Sequence, residues 1–144
     1  MSVMVAVGPS AAAVQPVPET LEFVAAPPGM MTLRRFALDA LDDVGALFAM
    51  RSTEQDGVRL FVVPPRVYVP DYAPAIDAGT RAALGLADGD PVLLVVVHPG
   101  EGGHPPTANL LAPVAVNPAT GAALQVVLDG DEWPLRAPLG AAAA

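Results

Sequence analysis

His98, Glu101 and His104 stand close together in the run His-Pro-Gly-Glu-Gly-Gly-His. Two imidazoles and a carboxylate are a zinc-type donor set, which needs ligands converging at about 2.0–2.2 Å. The run is rich in glycine, and no helical or strand spacing fixes its side chains for that task. Its glycines do not lead from a strand into a helix, so they do not form a phosphate cradle. Asp129-Gly130-Asp131-Glu132 is an acidic cluster without the alternating ligands and distal glutamate of a calcium loop, and it reads as a turn after a strand. Asp39, Asp42 and Asp43 read as a solvated face. The only serines are Ser2, Ser10 and Ser52, and none lies in a strained Gly-x-Ser-x-Gly setting that would activate a nucleophile. Catalysis therefore has no positive support in the residues. A small metal-dependent enzyme using the His98–His104 loop stays as a remote alternative, and no cofactor is expected.

Three uncharged polar residues stand in apolar surroundings. Asn109 starts an apolar strand, Asn117 ends it, and Gln125 lies inside another. The simplest reading is turn capping for the asparagines and a solvent-facing position for Gln125, because such side chains satisfy nearby backbone groups.

The elements that must position these residues are short. The chain has 144 residues, enough for one domain with its own core. Apolar residues make up 53%, which excludes a wholly disordered chain. The net charge of −8 argues against direct nucleic-acid binding, which needs a basic face to displace counterions. It suits a basic protein partner, and equally plain solubility. There is no cysteine, hence no disulfide or thiolate metal site. All seven basic residues are arginine, which with the abundant Ala, Pro and Gly reads as genomic base bias. The first residues lack the pattern of a signal peptide, and no apolar run approaches the ~20 residues that span a bilayer. A cytoplasmic protein with no membrane partner is expected.

Residues 1–18 read as a flexible N-terminal extension, 19–139 as a single β domain, and 140–144 as a disordered tail. Strands are expected at Thr20–Phe23, Leu33–Leu38 (with a helical turn left open), Ala46–Met50, Val58–Val63 and, briefly, Val67–Val69. Pro64-Pro65 ends the Val58–Val63 strand, since proline cannot donate to a ladder. A helix is expected over Ala75–Leu86 with Asp77 as its cap. Pro91–Val97 is continuously apolar and fits a central strand covered on both faces. Asn109–Val116 is a further strand, and Asn117–Ala122 a hairpin loop into Leu124–Leu128. The fold class is mainly β: an antiparallel β-sandwich or small barrel-like domain with one or two short helices.

Several segments, in order, carry a resemblance. They are Val62-Val63-Pro64-Pro65, Tyr68-Val69-Pro70-Asp71-Tyr72, Leu84-Gly85-Leu86, Thr107-Ala108-Asn109-Leu110-Leu111-Ala112-Pro113, Val116-Asn117, Gln125-Val126-Val127-Leu128, and Trp133 followed by Leu135-Arg136. The set resembles the flagellar assembly factor (FliW) family over most of Arg51–Leu139. The chain departs from the pattern at Ala26-Pro27-Pro28-Gly29-Met30-Met31, at Met50-Arg51-Ser52, at Pro64 where an aspartate is usual, and at Trp133 where a tyrosine is usual.

The resemblance implies a protein-binding switch. Proteins of this family are similar in binding either flagellin or the RNA-binding carbon storage regulator CsrA. When freed of flagellin they bind CsrA and relieve its repression of flagellin translation. On that basis the expected partner-binding residues are Tyr68, Asp71, Tyr72, Thr107, Asn109, Leu110 and Leu111. Asn117 and Gln125 are expected in buried hydrogen-bonding roles, with binding second. The free protein is expected to be a monomer. A degenerate member that keeps the fold but has lost CsrA is the alternative suggested by Pro64 and the altered N-terminal turn.

Overall fold

A computed structural model describes residues 2–7, 14–25, 33–69, 71–86, 89–98, 100, 102–103, 105–128 and 133–138. The strands are β1 (Ser2–Ala6), β2 (Val14–Pro18), β3 (Thr20–Phe23), β4 (Arg35–Ala40), β5 (Phe48–Ser52), β6 (Arg59–Val63), β7 (Val92–His98), β8 (Thr107–Ala108), β9 (Val114–Val116), β10 (Ala122–Gln125) and β11 (Ala137–Pro138). Two short helices, α1 (Pro65–Tyr68) and α2 (Ala78–Ala83), lie between β6 and β7.

β3, β4, β5, β6 and β7 form an antiparallel meander. β9 pairs with β7 on one side and β10 on the other, and β10 reaches back to β3. The sheet thus closes on itself as a barrel, which removes the open edges that invite aggregation. The closing pair β3–β10 is parallel, a departure from the wholly antiparallel expectation. The outer part of β7 carries β8, and β8 carries β11, as a small flap on the barrel wall.

Side chains alternate across a strand, so a strand that is apolar at every position must bury both faces. β7 does this. Val92, Leu94 and Val96 join Leu21, Phe23, Phe36, Leu38, Phe48, Met50 and Val62 inside the barrel. Leu93, Val95 and Val97 turn outward to a second cluster with Val63, Tyr72, Ala108 and Leu110. The expectation of a central strand covered on both faces is met. Phe23 and Phe36 meet edge to face at 5.4 Å inside the barrel, a favoured aromatic arrangement.

The helix expected over Ala75–Leu86 is shorter, Ala78–Ala83, and Asp77 caps it by accepting from the Thr80 amide at 2.7 Å. Those hydrogen bonds from Thr80 hold the Asp77 carboxyl below the usual aspartate range. Gly85, at φ +76°, closes the helix while the Leu86 amide donates to the Arg81 carbonyl.

Other expectations are corrected. Ser2–Ala6 and Val14–Pro18, expected in a flexible extension, form an antiparallel hairpin whose Val5 and Val17 enter the barrel core. Its alternation was hidden among alanines and prolines. Val67–Val69 is not a strand. Pro65 at the first helical position is pre-set for a helical turn, and the Val69 amide donates to its carbonyl. The Leu33–Leu38 strand is displaced to Arg35–Ala40, and Ala46–Met50 to Phe48–Ser52. Asn109–Val116 is not one strand, because the Asn109 side chain bends the chain between β8 and β9. Glu101, His104, the Asp129–Glu132 cluster and the 140–144 tail lie outside the described residues.

Candidate functional site

The segment that follows β6 is fixed by two phenols. Tyr68 donates from its hydroxyl to the Ala46 carbonyl at 2.8 Å. Tyr72 is fully buried and donates to the Leu110 carbonyl at 2.7 Å. Burial pushes both hydroxyls above the usual tyrosine range, strongly so for Tyr72, and the nearby Asp42 charge adds to the effect at Tyr68. Asp71 lies beside Tyr72 and is exposed.

Trp133 stacks edge to face on Tyr72, with ring centroids 4.6 Å apart. Its indole lines a surface groove of about 450 Å³. One wall is Ala73-Pro74-Ala75 with Asp77, and the other is Val126-Val127-Leu128. The second wall is tied down by backbone bonds from the Val126 amide to the Pro113 carbonyl and from the Leu128 amide to the Leu111 carbonyl. Val127 is 64% exposed, and Leu135 nearby in sequence is 53% exposed. The side chains of its walls are thus mostly apolar, and among the described residues Asp77 is the one carboxylate in the lining.

Six of the seven expected partner-binding residues build the layer around this groove and the flap. Tyr72 and Leu110 are buried behind Trp133, and the Leu110 amide donates to the Pro134 carbonyl. Asn109 Oδ1 accepts from the Leu111 and Ala112 amides at 3.1 and 3.0 Å, forming an Asx turn. Thr107 sits in β8 between His98 and Pro138. Tyr68 and Leu111 are half-buried. Asp71 alone of the seven is exposed. The groove surface itself belongs to Trp133, Pro74 and Val127, which were not among the expected site residues. The strand expected over Leu124–Leu128 is displaced to Ala122–Gln125, so Val127 lies past its end and no strand alternation marked it.

Asn117 is buried, donates from Nδ2 to the Leu84 carbonyl at 2.8 Å and accepts at Oδ1 from the Ala119 amide at 2.9 Å. It couples the end of α2 to the β9–β10 loop. Gln125 is half-buried and donates from Nε2 to the Ala112 carbonyl at 3.1 Å, so it does not simply face solvent. Among the described residues, no buried side-chain nitrogen or oxygen lacks a partner, and no group of three or more His, Asp or Glu side chains could hold a metal. His98 is exposed at the end of β7.

The family model described as "FliW protein" matches residues 11–139. The chain belongs to the FliW family. It is 36% identical over 124 residues to the flagellar assembly factor FliW of Syntrophotalea carbinolica, covering 85% of this chain and 87% of that protein. It is 27% identical over 114 residues to the flagellar assembly factor FliW of Bacillus subtilis (strain 168), covering 78% and 80%. A crystal structure of the flagellar assembly factor FliW superposes with a TM-score of 0.76 at 20% identity, covering 96% of each chain, and shows the shared fold. The resemblance carried by Thr107–Pro113 and its neighbours is borne out at the level of the family, and so is the mainly β, barrel-like fold. Among the described residues, no helix is long and apolar enough to cross a membrane.

Proposed function

We propose that this chain is a cytoplasmic flagellar assembly factor that binds flagellin and CsrA alternately, and relieves CsrA repression of flagellin translation when free of flagellin. The observation that carries the reading is the groove walled by Pro74, Val127 and Trp133, in a chain that the FliW family model matches over residues 11–139. An amphipathic helix such as a flagellin terminal segment docks by laying its apolar face into such a groove. Tyr72 and Leu110 hold the floor in place beforehand, so little ordering cost falls on binding. The net charge of −8 suits a basic RNA-binding partner and speeds its encounter. Partner exchange then follows from differential affinity and needs no reaction chemistry.

Titration calorimetry with flagellin and CsrA from the same organism tests this. Both bind the wild type, and prior saturation with flagellin weakens CsrA. Val127→Asp, at an exposed wall position, weakens flagellin at least tenfold, or about 1.4 kcal/mol. Failure of both partners to bind would overturn the reading. Binding of flagellin alone supports the degenerate member that Pro64 suggests, since Pro64 precedes α1 with no side-chain cap.

A further inference from the structure

The N-terminal hairpin has an unused outer face. Its register places Met4 opposite Pro16 and Ala6 opposite Val14. Val5 and Val17 point to the core, so Met4, Val14 and Pro16 point away from it and are exposed. Of the exposed large apolar side chains among the described residues, Met4, Val14, Leu41 and Val44 fall on this hairpin or on the turn after β4. The hairpin and the turn are joined directly, since the Ala6 amide donates to the Gly45 carbonyl at 2.9 Å.

Between them runs a groove of about 330 Å³ lined by Val3, Met4, Val14, Val44, Asp42 and Asp43, among others. Asp42 Oδ1 accepts from the Val44, Gly45 and Ala46 amides at 3.0–3.3 Å and holds the turn in shape. Asp43 is exposed beside it. Among the described residues, no basic side chain lines the groove. Among the described residues, it shares no lining residue with the groove around Trp133.

We propose that this hairpin groove is a second docking surface, and that it takes a basic amphipathic segment of a partner protein. The apolar floor calls for aliphatic anchors, and such a concentration of exposed apolar side chains marks an interaction site. The two carboxylates, on a chain of net charge −8, call for flanking arginine or lysine. The same charges disfavour other occupants. A second copy related by two-fold symmetry would bring like carboxylates together. An anionic membrane surface would repel the rim. The assignment goes beyond the flagellin and CsrA reading, since it stands on a different set of residues and holds whether or not that reading does.

The test uses the full chain labelled with ¹⁵N and two synthetic amphipathic peptides with leucine at i, i+3, i+4 and i+7. One peptide carries lysine on its polar face and the other glutamate. The lysine peptide shifts the amides of Val3–Ala6 and Ala40–Ala46, and the glutamate peptide does not. Asp43→Lys and Val44→Ser, both at exposed positions, each weaken the lysine peptide at least tenfold while leaving the circular dichroism unchanged. Shifts confined to Trp133 and Val127, equal binding of the glutamate peptide, or unchanged affinity of Asp43→Lys would each overturn the proposal. Loss of the lysine-peptide shifts at Val3–Ala6 with flagellin and CsrA still bound sinks this proposal alone, and failure of flagellin and CsrA to bind with those shifts intact sinks only the other reading.

Discussion

Tyr72→Phe removes one oxygen and keeps the ring. The edge-to-face contact with Trp133 and the packing on Val95 and Leu110 are retained, so the change isolates the hydroxyl bond to the Leu110 carbonyl. That carbonyl loses its partner at a fully buried side chain, which costs about 1–3 kcal/mol. With a urea slope of about 2 kcal/mol/M, the unfolding midpoint falls by roughly 0.5–1.5 M at pH 7. The readout is internal, because Trp133 is the only tryptophan and stacks on the mutated ring. Alkaline pH supplies a second arm. The chain has no lysine and no cysteine, and arginine stays charged, so Tyr68 and Tyr72 are the only side chains whose ordinary values lie between about pH 9 and 12. Both folded values are raised, so the fold favours the neutral phenols. Their contribution is complete below the unfolded value near 10 and is lost as pH rises through the raised folded value. The wild type therefore loses stability above pH 10 by at most about 1.4 kcal/mol per pH unit for each phenol, and Tyr72→Phe loses the larger part of that dependence. Equal midpoints at pH 7, or parallel pH profiles above 10, would refute the Tyr72–Leu110 bond as a stabilising contact.

Gly121→Ala places a methyl 2.5 Å from the Thr20 carbonyl oxygen at a φ of +83°, and thermal unfolding shows a loss of more than about 1–2 kcal/mol, the left-handed penalty alone. Asn117→Ala strips partners from the Leu84 carbonyl and the Ala119 amide, and costs about 1–3 kcal/mol per group left unsatisfied, read by urea unfolding. Asp77→Ala frays α2 and destabilises at neutral pH. Because the folded Asp77 value is depressed, the difference from wild type is present above the ordinary carboxylate value near 4 and vanishes as pH falls below it, as circular dichroism melts at pH 7 and pH 2.5 will show.

What could be read from the sequence was what local chemistry dictates. The β-branched run Val92–Val97 announced a strand buried on both faces, and Asp77 announced a helix start. Pro118 and Gly121 announced the loop between β9 and β10. The hairpin at residues 2–6 and 14–18 was not legible. It puts Val5 and Val17 into the core with Val3 and Val7 packed beside them, and most of the residues they meet lie in later strands. Closure of the barrel was also hidden, since the parallel β3–β10 pair joins segments about a hundred residues apart, and no local pattern encodes that pairing. At the site, motif resemblance pointed to Tyr72, Asn109 and Leu110, which are held by hydrogen bonds. The exposed groove residues beside them are set by how the 73–75 and 126–128 segments meet in space.

β7 faces the barrel core with alternate residues and the Trp133-side cluster with the others. Its amides are therefore expected to be among the last to exchange with deuterium, opening only when the whole domain opens. The wall behind the groove inherits that persistence. Local melting around the groove is therefore expected to start in the 73–75 and 126–128 segments of its walls, which lie outside the strands.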